Sequence, residues 1–244
     1  MKAEKGFRLA FFFIKIVFIV LSVLLPLHAS YVITSQATLS AISNGTQVAV
    51  QSNPCQLTVI DEAAIAVGWN LTALPYLPND PIPTSVFSGL ELGGENLVRW
   101  DWYWNRYQYY DPLHPRLFGP CLTGEGYWLY APSGGALNSS SGMPVTADHY
   151  TIPLPLGSMA LIGSPYFNPI PLAHCRVLMN GQWWAFPDLL AIGYFSDALY
   201  WYNPFTLSYT AVDTASGMLY PWRGYWIQTP PEECWLVVVN PSSV

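Results

Sequence analysis

Charge is what this sequence has least of. Asp, Glu, Lys and Arg make up 10% of 244 residues, where about a quarter is ordinary. No lysine follows Lys15. From residue 31 onward five basic residues remain, Arg99, Arg106, Arg116, Arg176 and Arg223, against fourteen acidic ones, a net charge of −9. Phosphate recognition needs clustered cations, so this balance argues against nucleic acid as a partner and against an anionic membrane surface. Catalytic signatures are missing too. No His-Glu-x-x-His, Gly-x-Ser-x-Gly, Walker loop or EF-hand loop occurs. No cofactor or metal is therefore expected, and no catalytic residue. The four cysteines, Cys55, Cys121, Cys175 and Cys234, form no Cys-x-x-Cys pair, which argues against zinc.

The titratable residues that remain point the same way. His114, His149 and His174 stand alone near prolines or turns, where a histidine is more often solvated than catalytic. Asp101, Asp111 and Glu125 could supply the two carboxylates of a glycosidase. However, Asp101 corresponds to Asn203 in the repeat described below, and Asn is neither base nor nucleophile. Both are better read as turn residues that bond the local backbone.

What is present first is an export signal. Lys2, Lys5, Arg8 and Lys15 lead into an apolar run over residues 16–25 interrupted only by Ser22, then Pro26 and the small residues Ala29 and Ser30. This is the layout of a secretory signal peptide over residues 1–30. An uncleaved anchor is the other reading, and it would be the chain's only membrane contact, but residues 9–27 span a bilayer only if Lys15 is tolerated inside. An exported chain with four cysteines fits two disulfides. Cys55–Cys121 and Cys175–Cys234 are the expected pairs among three possible pairings, and four buried thiols are the other reading.

The rest of the chain is rich in strand and turn signals. Twenty-two prolines and eighteen glycines leave little room for helix beyond a short turn within residues 189–199. Asn44-Gly45 and Asn180-Gly181 each separate two β-prone runs, as a type I′ hairpin turn requires. Four ordered blocks then recur. Trp69-Asn-Leu-Thr-Ala-Leu-Pro-Tyr76 matches Met159-Ala-Leu-Ile-Gly-Ser-Pro-Tyr166, and Pro81-Ile-Pro83 matches Pro169-Ile-Pro171. Val98-Arg-Trp-Asp101 with Tyr107 matches Tyr200-Trp-Tyr-Asn203 with Tyr209, and Gly126-Tyr-Trp128 matches Gly224-Tyr-Trp226. Such internal similarity signals two structural repeats.

The expected fold is all-β, with two tandem pseudo-repeat modules of small sandwich or barrel type. Residues 31–54 form an N-terminal hairpin or linker. Residues 55–147 form the first module with a Ser/Gly-rich connector, and residues 148–244 the second. Gly68-Trp-Asn-Leu71 followed by Pro, a Tyr/Trp-rich strand, and then Gly-Tyr-Trp resembles the tandem GWNL-type β-repeats of bacterial secreted and cell-surface proteins, over about residues 63–240. The second copy departs from that pattern at Ser158-Met159-Ala160, and the first has Asp101-Trp102 where Asp-Pro is common. The resemblance implies an accessory extracellular β module.

Aromatic residues dominate what chemistry there is. Residues 100–110 hold seven of them, and Trp100, Trp102 and Trp104 alternate as if sharing one strand face. Trp69, Tyr107, Trp128, Tyr209 and Trp226 lie in the repeat blocks and are assigned to the core. Trp102 and Trp104 have no aromatic counterpart at Pro204 and Thr206. They are the candidate ligand platform, with Asp101, Arg106 and Gln108 as its polar edge. The expected role is a non-enzymatic, secreted or cell-envelope module for structure or adhesion. The alternatives are a carbohydrate-binding module and a self-assembling filament or coat subunit that donates residues 31–54 as a strand. The expected partner is an extracellular protein, a polysaccharide or a second copy of the chain.

Overall fold

The computed structural model describes residues 62–240, together with strands at Val32–Ser35, Thr38–Ser43, Thr46–Gln51 and Cys55–Thr58. The signal segment, the Asn44-Gly45 turn and the Cys55 side chain lie outside the described residues. Of the N-terminal strands, Thr38–Ser43 pairs with Thr46–Gln51 in the expected hairpin, and Val32–Ser35 pairs with Cys55–Thr58.

Residues 62–240 are built from antiparallel strands. The first repeat contributes β1 (Gly68–Ala73), β2 (Leu97–Asp101), β3 (Arg106–Tyr109) and β4 (Gly126–Ala131). The second contributes β5 (His149–Leu154), β6 (Met159–Gly163), β7 (Cys175–Met179), β8 (Gln182–Ala185), β9 (Leu199–Asn203), β10 (Ser208–Val212), β11 (Gly224–Gln228) and β12 (Cys234–Val239). They form three four-stranded sheets, ordered β1-β4-β2-β3, β6-β11-β9-β10 and β5-β12-β7-β8. Among the described residues helix is confined to Pro83–Val86, Pro115–Phe118 and Phe186–Ala191, with one 3-10 turn at Leu172–His174. The Phe186–Ala191 helix starts before the turn expected in residues 189–199, because Pro187 suits the first helical turn.

The first two sheets are copies of one another. Leu71 faces Trp128 across β1–β4, and Leu161 faces Trp226 across β6–β11. Trp128 also faces Val98, as Trp226 faces Tyr200. Trp100 faces Tyr107, as Tyr202 faces Tyr209. The likeness extends to single hydrogen bonds. The Leu122 amide donates to the Tyr127 hydroxyl at 2.6 Å, and the Tyr220 amide donates to the Tyr225 hydroxyl at 2.8 Å.

Alternation along each strand stacks the sheets in layers. Tyr127 and Leu129 point into a first core with Tyr76, Phe87, Leu97 and Phe118. Tyr225 and Ile227 point into a second, where the β6-β11-β9-β10 and β5-β12-β7-β8 sheets sandwich Ile152, Val177, Phe186, Leu199 and Leu236. Between the repeats, Leu71, Val98 and Trp128 meet Leu161 and Trp226 in a third cluster. The Gly-Tyr-Trp glycines make that contact possible. A Cβ on Gly126 would lie 3.0 Å from Leu161 Cβ, and one on Gly224 would lie 2.9 Å from Leu71 Cγ. These contacts correspond under the repeat, so the two sheets pack about a pseudo-two-fold axis. Ala73 and Gly163 occupy equivalent positions, opposite Gly126 and Gly224, and they meet each other there. A Cβ on Gly163 would sit 2.0 Å from Ala73 Cβ.

The repeats also exchange side chains. Phe167 and Trp222, from the second, pack on Tyr76 of the first at ring separations of 6.4 and 5.6 Å. The Thr72 hydroxyl donates to the Trp222 carbonyl at 2.8 Å.

Two expectations are corrected. Cys175 and Cys234 do not form a disulfide; both are free and buried. Cys175 faces Val238 while Cys234 faces Met179 on the neighbouring strand. Four residues of strand separate them by about 13 Å, beyond the ~7 Å Cα reach of a disulfide. Cys121 is also a free, buried thiol. Trp100, Trp102 and Trp104 do not share a strand face. β2 ends at Asp101, residues 102–105 form the turn, and Asn105 closes it at φ 50°.

Candidate functional site

The hairpin tip that carries Trp102 and Trp104 is exposed, at 53% and 64% of their surfaces. Its polar residues serve the backbone. Asp101 Oδ1 accepts from the amides of Tyr103 and Trp104 at 3.1 and 3.2 Å, and Asn203 Oδ1 accepts from the Phe205 amide at 3.0 Å in the equivalent turn. Gln108 Nε2 donates to the Leu117 carbonyl. Arg106 lies 5.8 Å over the Trp104 ring. Trp102 and Tyr103 meet at 80°, and Tyr103 and Trp104 at 89°. Asp101, Trp102, Trp104 and Arg106 thus share one tip, with Gln108 farther along β3, but the rings form no flat platform.

The other candidate carboxylates are also engaged. Glu125 forms a bidentate ion pair with Arg99, Nη2 lying 2.6 and 2.7 Å from its two oxygens, and accepts from the Tyr127 hydroxyl at 2.5 Å. Burial raises the Glu125 carboxyl above its usual range, opposed by Arg99 and Tyr127. Asp111 pairs with His114 at 2.7 Å on the exposed surface. Among the described residues no three His, Cys, Asp or Glu side chains converge on a metal-sized site.

A concave site forms instead where the two repeats meet. Trp69 and Val98 from the first sheet, with Tyr107, Tyr109 and Trp128, and Tyr202 from the second, line a cleft of about 260 Å³. Trp69 stands edge-on to Trp128 at 6.2 Å and to Tyr130 at 5.3 Å. Tyr202 crosses from the other repeat to lie 4.9 Å from Trp128. Trp128 is nine-tenths buried, and its Nε1 has no acceptor in hydrogen-bond geometry. The Tyr107 hydroxyl is near enough to interact with that indole but misses bond geometry. Burial raises the Tyr107 hydroxyl, and Tyr209 and Tyr109 add to the rise. It therefore stays protonated at neutral pH and offers both a donor and an acceptor.

The pseudo-axis produces a counterpart, lined by Trp100, Tyr107, Met159, Tyr200, Tyr209 and Trp226. Trp100 packs on Trp226 at 5.4 Å there, as Tyr202 packs on Trp128. The two have diverged. Met159 stands where the first cleft has Trp69, Tyr200 where it has Val98, and Ala211 where it has Tyr109. The first cleft thus keeps the flat indole wall, whereas the counterpart, with Met159 in its place, is the wider of the two at about 520 Å³.

Three residues assigned to the core are therefore partly at the surface. Trp69 is 38% exposed, Tyr107 42% and Tyr209 51%, while Trp128 and Trp226 are buried as expected. The repeat blocks signalled their shared position. Which face of each sheet remained open depends on how the two sheets cross, and no single block encodes that. Comparison with known proteins finds no matching family model, curated protein or solved structure.

Proposed function

We propose that this protein is a non-enzymatic extracellular binding module of the cell surface or medium, and that its ligand is a saccharide held in the Trp69 cleft. The observation that carries this reading is the cleft itself: a half-exposed indole, three tyrosine rings and an unpaired buried indole N–H around one concavity. Sugar rings present C–H faces that suit aromatic walls, and hydroxyls that suit tyrosine O–H and indole N–H. A small number of placed polar groups in an apolar cleft is the usual form of a ligand site. The export signal and the acidic composition beyond residue 30, where no lysine occurs, support an extracellular setting.

The test is a panel of neutral and acidic oligosaccharides titrated into the full chain, followed by tryptophan fluorescence and calorimetry, with Trp69→Ala as the comparison. Covering about 50 Å² of indole and a like area of sugar C–H at about 25 cal/mol/Å² is worth ~2.5 kcal/mol. Trp69→Ala should therefore weaken binding by about 60-fold. Saturable binding unchanged by Trp69→Ala would place the site elsewhere, with Trp102→Ala/Trp104→Ala the next variant to compare.

A second reading is association of the chain with itself or another surface protein. It is favoured by the hairpin tips, where Phe205 is 84% exposed, Leu207 72% and Tyr103 71%. Sedimentation velocity across a hundredfold range of concentration tests it; a single monomer species throughout would reject self-assembly.

A further inference from the structure

We propose that the second repeat carries an anion subsite centred on Arg223, and that the saccharide taken by the Trp69 cleft bears one carboxylate or sulfate group that reaches it. The proposal rests on the cleft reading above and adds the chemical class of the ligand.

The argument starts from how the two repeats use one pair of positions. In the first, Arg99 on β2 pairs with Glu125, the residue before Gly126. Arg99 also donates to the carbonyl of Phe118 at 2.7 Å, so its charge is answered within the protein. The corresponding positions in the second repeat are Trp201 and Arg223. Here the cation has moved to the other site and the carboxylate is gone. The Arg223 guanidinium lies 4.4 Å over the Trp201 ring and 4.6 Å over the Tyr220 ring. Among the described residues it has no ion-pair partner and no side-chain hydrogen bond. Two aromatic faces hold the planar group in a fixed orientation, with its donors left over. That arrangement suits a carboxylate or sulfate taken up bidentately.

The surroundings fit such a ligand. Arg223 lines a hollow of about 360 Å³ with Trp201, Tyr202, Asn203 and Phe205. Asn203 uses its Oδ1 on the Phe205 amide, which leaves its side-chain N–H₂ to donate. Tyr202 also lines the Trp69 cleft, so the two concavities have one lining residue in common, and the proposed ligand passes along it. Asp213, on the loop beside Arg223, turns its carboxylate back onto the amides of Ala215 and Ser216 and forms no ion pair with Arg223. The net charge of −9 beyond residue 30 opposes a polyanion. A ligand with a single acidic group avoids that penalty.

The experiment uses three β-1,4-linked glucose trisaccharides, ending in glucose, in glucuronate or in glucose 6-sulfate, with inorganic sulfate as a fourth titrant. Each is titrated at low salt into the full chain and into Arg223→Gln, Arg223→Lys and Trp69→Ala, with thermal melts showing that every variant is folded. The glucuronate or the sulfated sugar should bind about tenfold tighter than the neutral one. Arg223→Gln should erase that margin and leave the neutral affinity in place, Arg223→Lys should keep part of it, and Trp69→Ala should weaken all three sugars. Equal affinity for neutral and acidic sugars, or a margin that survives Arg223→Gln, overturns the proposal and leaves the cleft reading standing. Inorganic sulfate binding as tightly as the sulfated sugar also overturns it, because the subsite would then take a free anion. No binding of any trisaccharide overturns the proposal together with the cleft reading. An acid preference that depends on Arg223 while Trp69→Ala changes nothing overturns the bridging ligand.

Discussion

At the pseudo-axis, Ala73 and Gly163 are the same position in the two repeats, and each is the other's neighbour. There is room for one methyl group between them. Gly163→Ala places two methyl carbons 2.0 Å apart, against the ~3.5–4.0 Å at which carbon atoms rest. The strands β1 and β6 would have to separate by about 1.5 Å, and a gap of that size forfeits more than half the dispersion attraction across the interface. The interface holds Leu71, Val98, Trp128, Leu161 and Trp226, so the loss adds to an overpacking cost of about 1–3 kcal/mol. Gly163→Ala should therefore destabilise by roughly 3 kcal/mol or more. Ala73→Gly alone should cost only about 1 kcal/mol, from backbone entropy and one lost methyl. The double variant moves the single methyl across the axis, regains both of those contributions and should fall between the parent and Ala73→Gly. Urea unfolding with the slope held common measures all three, and the interaction between the two changes should exceed ~2 kcal/mol in favour of the pair. Additive effects, or Gly163→Ala within 0.5 kcal/mol of the parent, would refute the account of the axis.

Other expectations follow from the same contacts. Arg99→Met strands the Glu125 carboxylate with only Tyr127 for company and should cost about 3 kcal/mol, whereas Arg99→Met/Glu125→Gln should recover most of it; thermal melts at neutral pH decide. Burial pushes the thiols of Cys121 and Cys175 up to about 12. Neither should react with a thiol reagent at pH 8 until the chain is unfolded; rapid labelling of the native chain at either site would contradict this. The same shifts make stability fall with alkali. The unfolded thiols lose their protons near pH 9 while the folded ones keep theirs to about 12, so the native state holds more protons across that window and the free energy of unfolding declines as pH rises. Urea midpoints from pH 8 to 11 should drop steadily, and a flat profile would be inconsistent with buried protonated thiols. Trp222→Ala removes a ring that the second repeat inserts against Tyr76 of the first. It should lower the melting temperature of a single transition rather than split the repeats into two.

The all-β class and the internal repeat were both legible in the residues, because turn chemistry and period-2 patterning act locally. Asn180-Gly181 is an example: φ values of 52° and 73° are what a two-residue hairpin turn demands, and the dipeptide announces them. Asp101 and Asn203 were equally readable as turn residues. The Trp100–Trp104 alternation misled for a local reason too. The reversal after Asp101 closes through Asn105 at positive φ, and its counterpart Leu207, at φ 53°, carries no such signal in its side chain.

What the sequence determined by itself was composition, class and the existence of two related halves. What only tertiary structure decided was how those halves meet. The crossing of the two sheets turned Trp69 and Tyr107 from expected core into the wall of a cleft, which Tyr202 joins from the other repeat. It also joined Gly163 to Ala73, while strand pairing within the third sheet set Cys175 and Cys234 four residues out of register. Strand patterning says which side chains share a face; it does not say what that face will cover. That depends on contacts between residues about seventy to ninety apart, such as Ala73 with Gly163 and Trp128 with Tyr202, which arise only when both sheets are formed and packed.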